Sequence, residues 1–547
     1  MKSIKNIILV AGAAMLCWSC TEYLTTPPVG SLSPEGFYST PSHAEEGVLG
    51  VYSKLRNMEA NQYSILSEDR SDNVWVDPAP NGIRSCSEVS FLRFDSTLSE
   101  AKSVWSGWYS LIFNANTVLE NLEDVEFTDE SIKDQFKGEL LFLRAYAHFE
   151  LVRTFGNVPV VDHVLSVNES KELVQQAGKD VINDSVIPDL KEAESLLPYE
   201  ADVKDYSGNK IGGSGRADKI VAEAMLARVY MTLKGFPYND SSAKANAKTY
   251  LEKVLNYSVT NGNKYWAPTI DDWKKQWLTE PSISNKYQIF SIQHTNQSGN
   301  AFTGIESVSM SGEYLPYGGG GSLMSPCYID MDLWYEYTSN NDQRGLGFTF
   351  MDGYEAWGST TKYSNTMLNY TNSEGKSVDA YELSIVTKFC PYEEKRVALG
   401  VSYDDQTSTS WPLNYPLIRL EDMQLYYAEL LVEDGNIASA MGYVNNIRKR
   451  AGVPEVSTSC SSSDALSYIK RERRLELFQE GIRWFDQVRY GEWDTTTKAK
   501  FDRHKIDGAY QSGVSADNIV AGKYLCPIPL DEINAVPGLY TQNEGWN

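Results

Sequence analysis

The chain has 547 residues, a formal charge of -24 and 42% hydrophobic residues. That length supports a large core and that composition excludes a wholly disordered chain. The acidic balance excludes a nucleic-acid or anionic-lipid surface, since either needs a positive footprint. In chain order, Lys2 and Lys5 precede an apolar run from Ile7 to Leu16, with Ser19 directly before Cys20. This is the order of a secretory signal, expected over residues 1–19. The run is about half of the roughly 20 apolar residues a membrane-crossing helix needs. A proline-broken stretch of small polar residues follows, so residues 20–40 read as a tether.

Helical patterns then dominate an N-terminal part expected over 41–260. SHAEEGVLGVYSKLR, VWSGWYSLIFNANTVLENL, KGELLFLRAYAHFELVRTF and RADKIVAEAMLARVYMTL each repeat apolar residues at steps of three and four. Two helix pairs have the small-residue spacing of tetratricopeptide repeats. One carries Ala227, Tyr230, Ala247, Leu251 and Val254; the other carries Ala428, Leu431, Ala440, Val444 and Ile447. Between them, residues 261–417 form a loop-rich region, and from 257 to 370 there are 20 aromatics in 114 residues, against 45 in the other 433. Loops so long and so aromatic are functional rather than disordered. Residues 418–547 return to helical periodicity.

Cys20 at the cleavage junction resembles a bacterial lipoprotein box, whose cysteine is acylated after cleavage; Cys17 and Trp18 depart from the usual box. Three acyl chains would anchor the protein durably. Cys86, Cys327, Cys390, Cys460 and Cys526 are widely spaced, show no zinc or disulfide framework, and read as core residues. In the run from Ile469 to Trp493, Arg471, Arg473, Arg474 and Arg483 alternate with Glu472, Glu476 and Glu480 at helical steps. Pairing among these neighbours explains the run better than an anion site does.

The exported Cys20, WSGWYSLIFNANTVLENL, LLFLRAYAHFELVRTFGNVPVV, RLEDMQLYYAELLVEDGNIASAMGYVNNIRKRAGVP, IKRERRLELFQEGIRWFDQVRYGEW and the closing YLCPIPLDEINAVPGLYTQNEGW together resemble the SusD/RagB family of Bacteroidetes. The resemblance implies a mostly α fold, with tetratricopeptide-like pairs framing a loop-rich ligand-binding region. It further implies a surface-exposed, lipid-anchored outer-membrane protein that captures oligosaccharide and delivers it to a SusC-like TonB-dependent transporter. A peptide-binding RagB-like uptake protein and a protein-interaction scaffold are the alternatives.

No zinc or nucleophile-elbow motif occurs, so no enzymatic activity and no cofactor are expected, with calcium binding left open. A sugar ring needs a flat aromatic platform beside hydrogen-bonding side chains. Two zones supply both: Asp72, Asn73, Trp75 and Arg84 after the first helix, and Trp273, Tyr314, Tyr317, Trp334 and Trp357 in the aromatic window.

Overall fold

The computed structural model describes residues 37–58, 64–76, 88–213, 215–277, 286–293, 327–345, 348–351, 367–371, 377–382, 385–386, 388, 414–504 and 514–546. Its N-terminal part is built from α1 (Pro41–Met58), α2 (Ser99–Leu122), α3 (Glu130–Phe155), α4 (Ile187–Leu196), α5 (Lys219–Lys234) and α6 (Ala243–Thr260). The four quoted apolar patterns therefore form helices. Their ends are chemically marked: Asp129 caps α3 by accepting from the Ser131 amide, Asp218 caps α5 by accepting from Val221, and Gly156 closes α3 at φ +76°. The loop-rich region contributes α7 (Met331–Ser339), and the C-terminal part contributes α8 (Leu420–Glu433), α9 (Ile437–Arg450), α10 (Ser462–Glu476), α11 (Arg483–Arg489), α12 (Trp493–His504) and α13 (Leu530–Ala535).

The two tetratricopeptide-like pairs are α5–α6 and α8–α9. Ala227, Ala247, Ala428 and Ala440 are fully buried, and the absence of a longer side chain there lets the backbones approach. Helix α6 also packs on α8, so the pairs stack on each other although the aromatic window separates them in sequence. The described parts of the region 261–417 carry short helices, among them α7, and short strands. β1 (Val74–Val76), β3 (Cys327–Ile329), β7 (Ile385–Val386) and β4 (Phe350–Met351) form one antiparallel sheet in that order. β2 (Gln288–Ile292) pairs with β8 (Tyr415–Arg419), buried along its whole length, and β5 (Met367–Thr371) pairs with β6 (Ser377–Glu382).

From Leu140 to Val152 every residue of α3 is buried, so each polar group there needs an internal partner. The Arg144 guanidinium meets Asp189 through two bonds of 2.7 and 2.8 Å and also donates to Asn116. His148 lies between the Arg144 carbonyl, 3.1 Å from Nδ1, and the Val161 amide, 3.2 Å from Nε2. Only the neutral ring protonated at Nδ1 satisfies both. Burial, followed by the nearby Arg144 charge, brings the His148 pKa down to about 4. The folded state thus binds fewer protons than the unfolded chain, and stability is lost as pH falls below about 6.5. Replacement of His148 by Gln is expected to remove up to about 3 kcal/mol of that loss between pH 6.5 and 4, read as a flatter denaturation midpoint against pH.

The last residues knit back into the first part. Arg70 donates to the Lys523 carbonyl at 2.6 Å, with its guanidinium 4.2 Å from the Trp484 ring centroid. Cys526, buried as expected, donates its amide to the Thr154 carbonyl, and Asn543 reaches the Phe155 carbonyl.

Candidate ligand-binding face

Strand β1 is held from behind by largely buried cations of the C-terminal helices. Arg483 grips the Asp72 carboxylate through bonds of 2.7 and 2.9 Å, while Arg474 donates to the Asp72 carbonyl at 2.6 Å and to Asp332 at 2.9 Å. The Lys500 ammonium donates to the Ser71 carbonyl at 2.7 Å and to Ser90. Burial pushes the Asp72 carboxyl upward, but Arg474 and Arg483 outweigh it and hold the group well below the ordinary carboxylate range. Glu68 is pushed up to about 6 by burial, which outweighs the donations from Asn73 and the Gln479 amide and the charge of Lys388.

β3 is held in the same way. The Asp330 amide donates to the Asn73 carbonyl at 2.8 Å, and the Asp330 side chain caps α7 while accepting from Arg503. The pairing register sets Val74 opposite Ile329, Trp75 opposite Tyr328 and Val76 opposite Cys327. The chain therefore leaves this sheet after Val76 and enters it at Cys327 from adjacent positions. The segments that carry Arg84 and Tyr314 with Tyr317 begin and end, respectively, at that shared edge.

A second charged layer lies beneath. The Glu476 carboxylate accepts from Arg344 at 2.7 Å, Arg419 at 2.9 Å, Arg450 at 2.6 Å and the Trp273 indole at 2.8 Å. Burial alone would raise Glu476; Arg450, Arg419 and Arg344 together bring it well below its ordinary value. Lys388 donates to Glu480 and to the Phe478 carbonyl, both at 2.7 Å, with its ammonium 4.2 Å from the Trp277 ring centroid. Two residues after β7, an inner strand of the sheet, it ties the middle of the sheet to the interior.

These contacts relocate several sequence expectations. Asp72 and Asn73 are buried and serve as the base under β1, and Trp273, 1% exposed, is a core residue spent on Glu476. None of the three offers a surface to a ligand. Trp75 takes the middle of β1, and Trp334 is half-buried in α7 against the main core. Cys20, Arg84, Tyr314, Tyr317 and Trp357 lie outside the described residues. The four arginines singled out in the run are paired, but not with their own helical neighbours. Arg471 meets Glu336, Arg473 meets Asp422 and Asp486, and Arg474 and Arg483 meet Asp72. Arg474, Arg483, Lys500 and Arg503 were missed as supports of the face, because nothing near them in sequence signals partners so remote.

A stacked helix-pair scaffold that braces a small sheet sets this fold apart from a regular repeat array. The chain belongs to the SusD family, whose model matches residues 234–546, and residues 48–231 match the model described as starch-binding associating with outer membrane. Among curated relatives, SusD-like protein P38 of Formosa agariphila is 26% identical over 89% of this chain and 92% of its own length. A SusD homolog from Bacteroides thetaiotaomicron superposes with a TM-score of 0.73 at 22% identity, covering 95% of this chain and 99% of that one. A laminarin binding SusD-like protein has a TM-score of 0.63 at 24% identity, covering 93% and 100%.

Proposed function

We propose that the protein is a lipid-anchored, surface-exposed glycan-binding protein without catalytic activity. It captures an oligosaccharide at the β1–β3 edge and passes it to a SusC-like TonB-dependent transporter. The observation that supports this reading is the register that sets Val76 beside Cys327, because it makes the stretch that carries Arg84 and the stretch that carries Tyr314 and Tyr317 attach to neighbouring strand ends. A laminarin binding protein of the same fold supports a glycan as cargo. The secretory order of the first residues, ending at Cys20, supports acylation there and placement at the outer membrane.

Substituting Trp75 and Arg84 together by alanine, followed by glycan-array binding, tests the site. Loss of a stacking ring and a charged donor is expected to weaken binding at least roughly tenfold. Binding that stays at the wild-type level would remove the β1–β3 edge from the function.

A further inference from the structure

Residues 261–269 connect α6 to the short helix Ile270–Lys275 through a backbone that few sequences would adopt. Gly262, Asn263 and Tyr265 have φ values of +74°, +59° and +69°. Glycine and asparagine tolerate this region, but for tyrosine it is strained, and such strain persists only where surroundings impose it. Here the Tyr265 ring is buried, its hydroxyl faces Glu200 at 3.4 Å, and Ser258 donates to the Lys264 carbonyl. The result is to set Trp266 between two cavities.

One cavity, of about 630 Å³, opens between Trp266, the end of α6, and Gln424, Tyr443 and Asn446 of α8 and α9. The other, of about 790 Å³, lies toward Glu200, Asp272 and Tyr287. Both are lined by Asn263, Trp266 and Pro268, and each falls in the range of small-ligand sites. The Trp266 ring is fixed by the Arg450 guanidinium, 4.6 Å from its centroid. Neither β1 nor β3 lines either space.

The charges of the lining are matched. Arg450 is bonded to Glu421 and Glu476, Glu200 is met by Lys264, and Asp272 faces Lys286 and accepts from the Tyr287 hydroxyl. The Asn263 and Asn446 amides, by contrast, are exposed and have no side-chain partner among the described residues. An indole flanked by open amides, with little unopposed charge beyond Lys449, matches the apolar face and hydroxyl rim of an uncharged sugar. We propose that the paired cavities around Trp266 form a second subsite that binds a neutral oligosaccharide, separate from the β1–β3 edge.

Fluorine NMR on protein carrying 5-fluorotryptophan tests this directly, with Trp266→Phe assigning the resonance and an unchanged melting temperature certifying its fold. Maltohexaose, laminarihexaose, cellohexaose and mannohexaose serve as probes at roughly 10 mM, above the weak affinity one stacked ring supplies. A saturable shift of the Trp266 resonance with at least one hexasaccharide is expected. It should persist in the Trp75→Ala variant and weaken about tenfold in Asn446→Ala. No shift with any of the four overturns the subsite, and a shift only with a neutral pentapeptide overturns the ligand class. The array result for the Trp75 and Arg84 double variant reads the β1–β3 edge independently, so the two proposals fail separately.

Discussion

Replacing Glu476 by alanine is expected to cost the fold about 3–5 kcal/mol, the penalty for removing one partner from a buried charge cluster. Three guanidiniums, those of Arg344, Arg419 and Arg450, would lose their shared acceptor, as would the Trp273 indole. Asp342 still pairs Arg344, Glu480 still pairs Arg419, and Glu421 still pairs both Arg419 and Arg450, so the variant should fold, with a clearly lower denaturant midpoint. Lys498→Ala provides the contrast. Its pair with Asp502 is about half exposed on both sides, and its loss should cost under roughly 0.5 kcal/mol. Equal midpoint shifts for the two variants would show that Glu476 is not a hub.

The second large effect is expected at Asp72. Asp72→Asn keeps the shape but strips the charge, leaving Arg483 largely buried without a carboxylate and costing roughly 2–4 kcal/mol. The pH dependence distinguishes this from loss of packing. In the wild type the Asp72 carboxyl titrates below its unfolded value, so its contribution is full above about pH 4 and is lost as the pH falls further. The variant should lack that contribution and show a shallower acid loss. Glycan affinity should also fall, by roughly tenfold, although Asp72 is too buried to touch a ligand, because β1 loses its rear support. Calorimetric titration at a temperature where the variant is folded would check this, and unchanged affinity would uncouple the base from the site.

The helix pairs were legible because their signal is local. Ala428, Ala440, Val444 and Ile447 announce a packed seam through spacing alone, and all four are buried. The face was legible only as two zones of composition. Its support was not: Arg474 donates to a carbonyl 402 residues away, and alternating arginine and glutamate describe a solvated helix equally well. Trp266 and Trp273 show the same limit for rings. Seven positions apart in one aromatic stretch, one borders two cavities and the other is sealed against Glu476. Burial of a ring is decided by what packs on it, which here includes α9 and α10 from far along the chain. The left-handed Tyr265 had no cue either, since tyrosine does not favour such a backbone.

The stitching of Arg70 to Lys523 sets an order of events during synthesis. A nascent polypeptide holds this guanidinium long before its carbonyl acceptor has been translated, and the Thr154 carbonyl likewise waits for the Cys526 amide. Helices can form as they emerge, but the final locking of the early segment is postponed until the stretch around Lys523 and Cys526 has emerged as well.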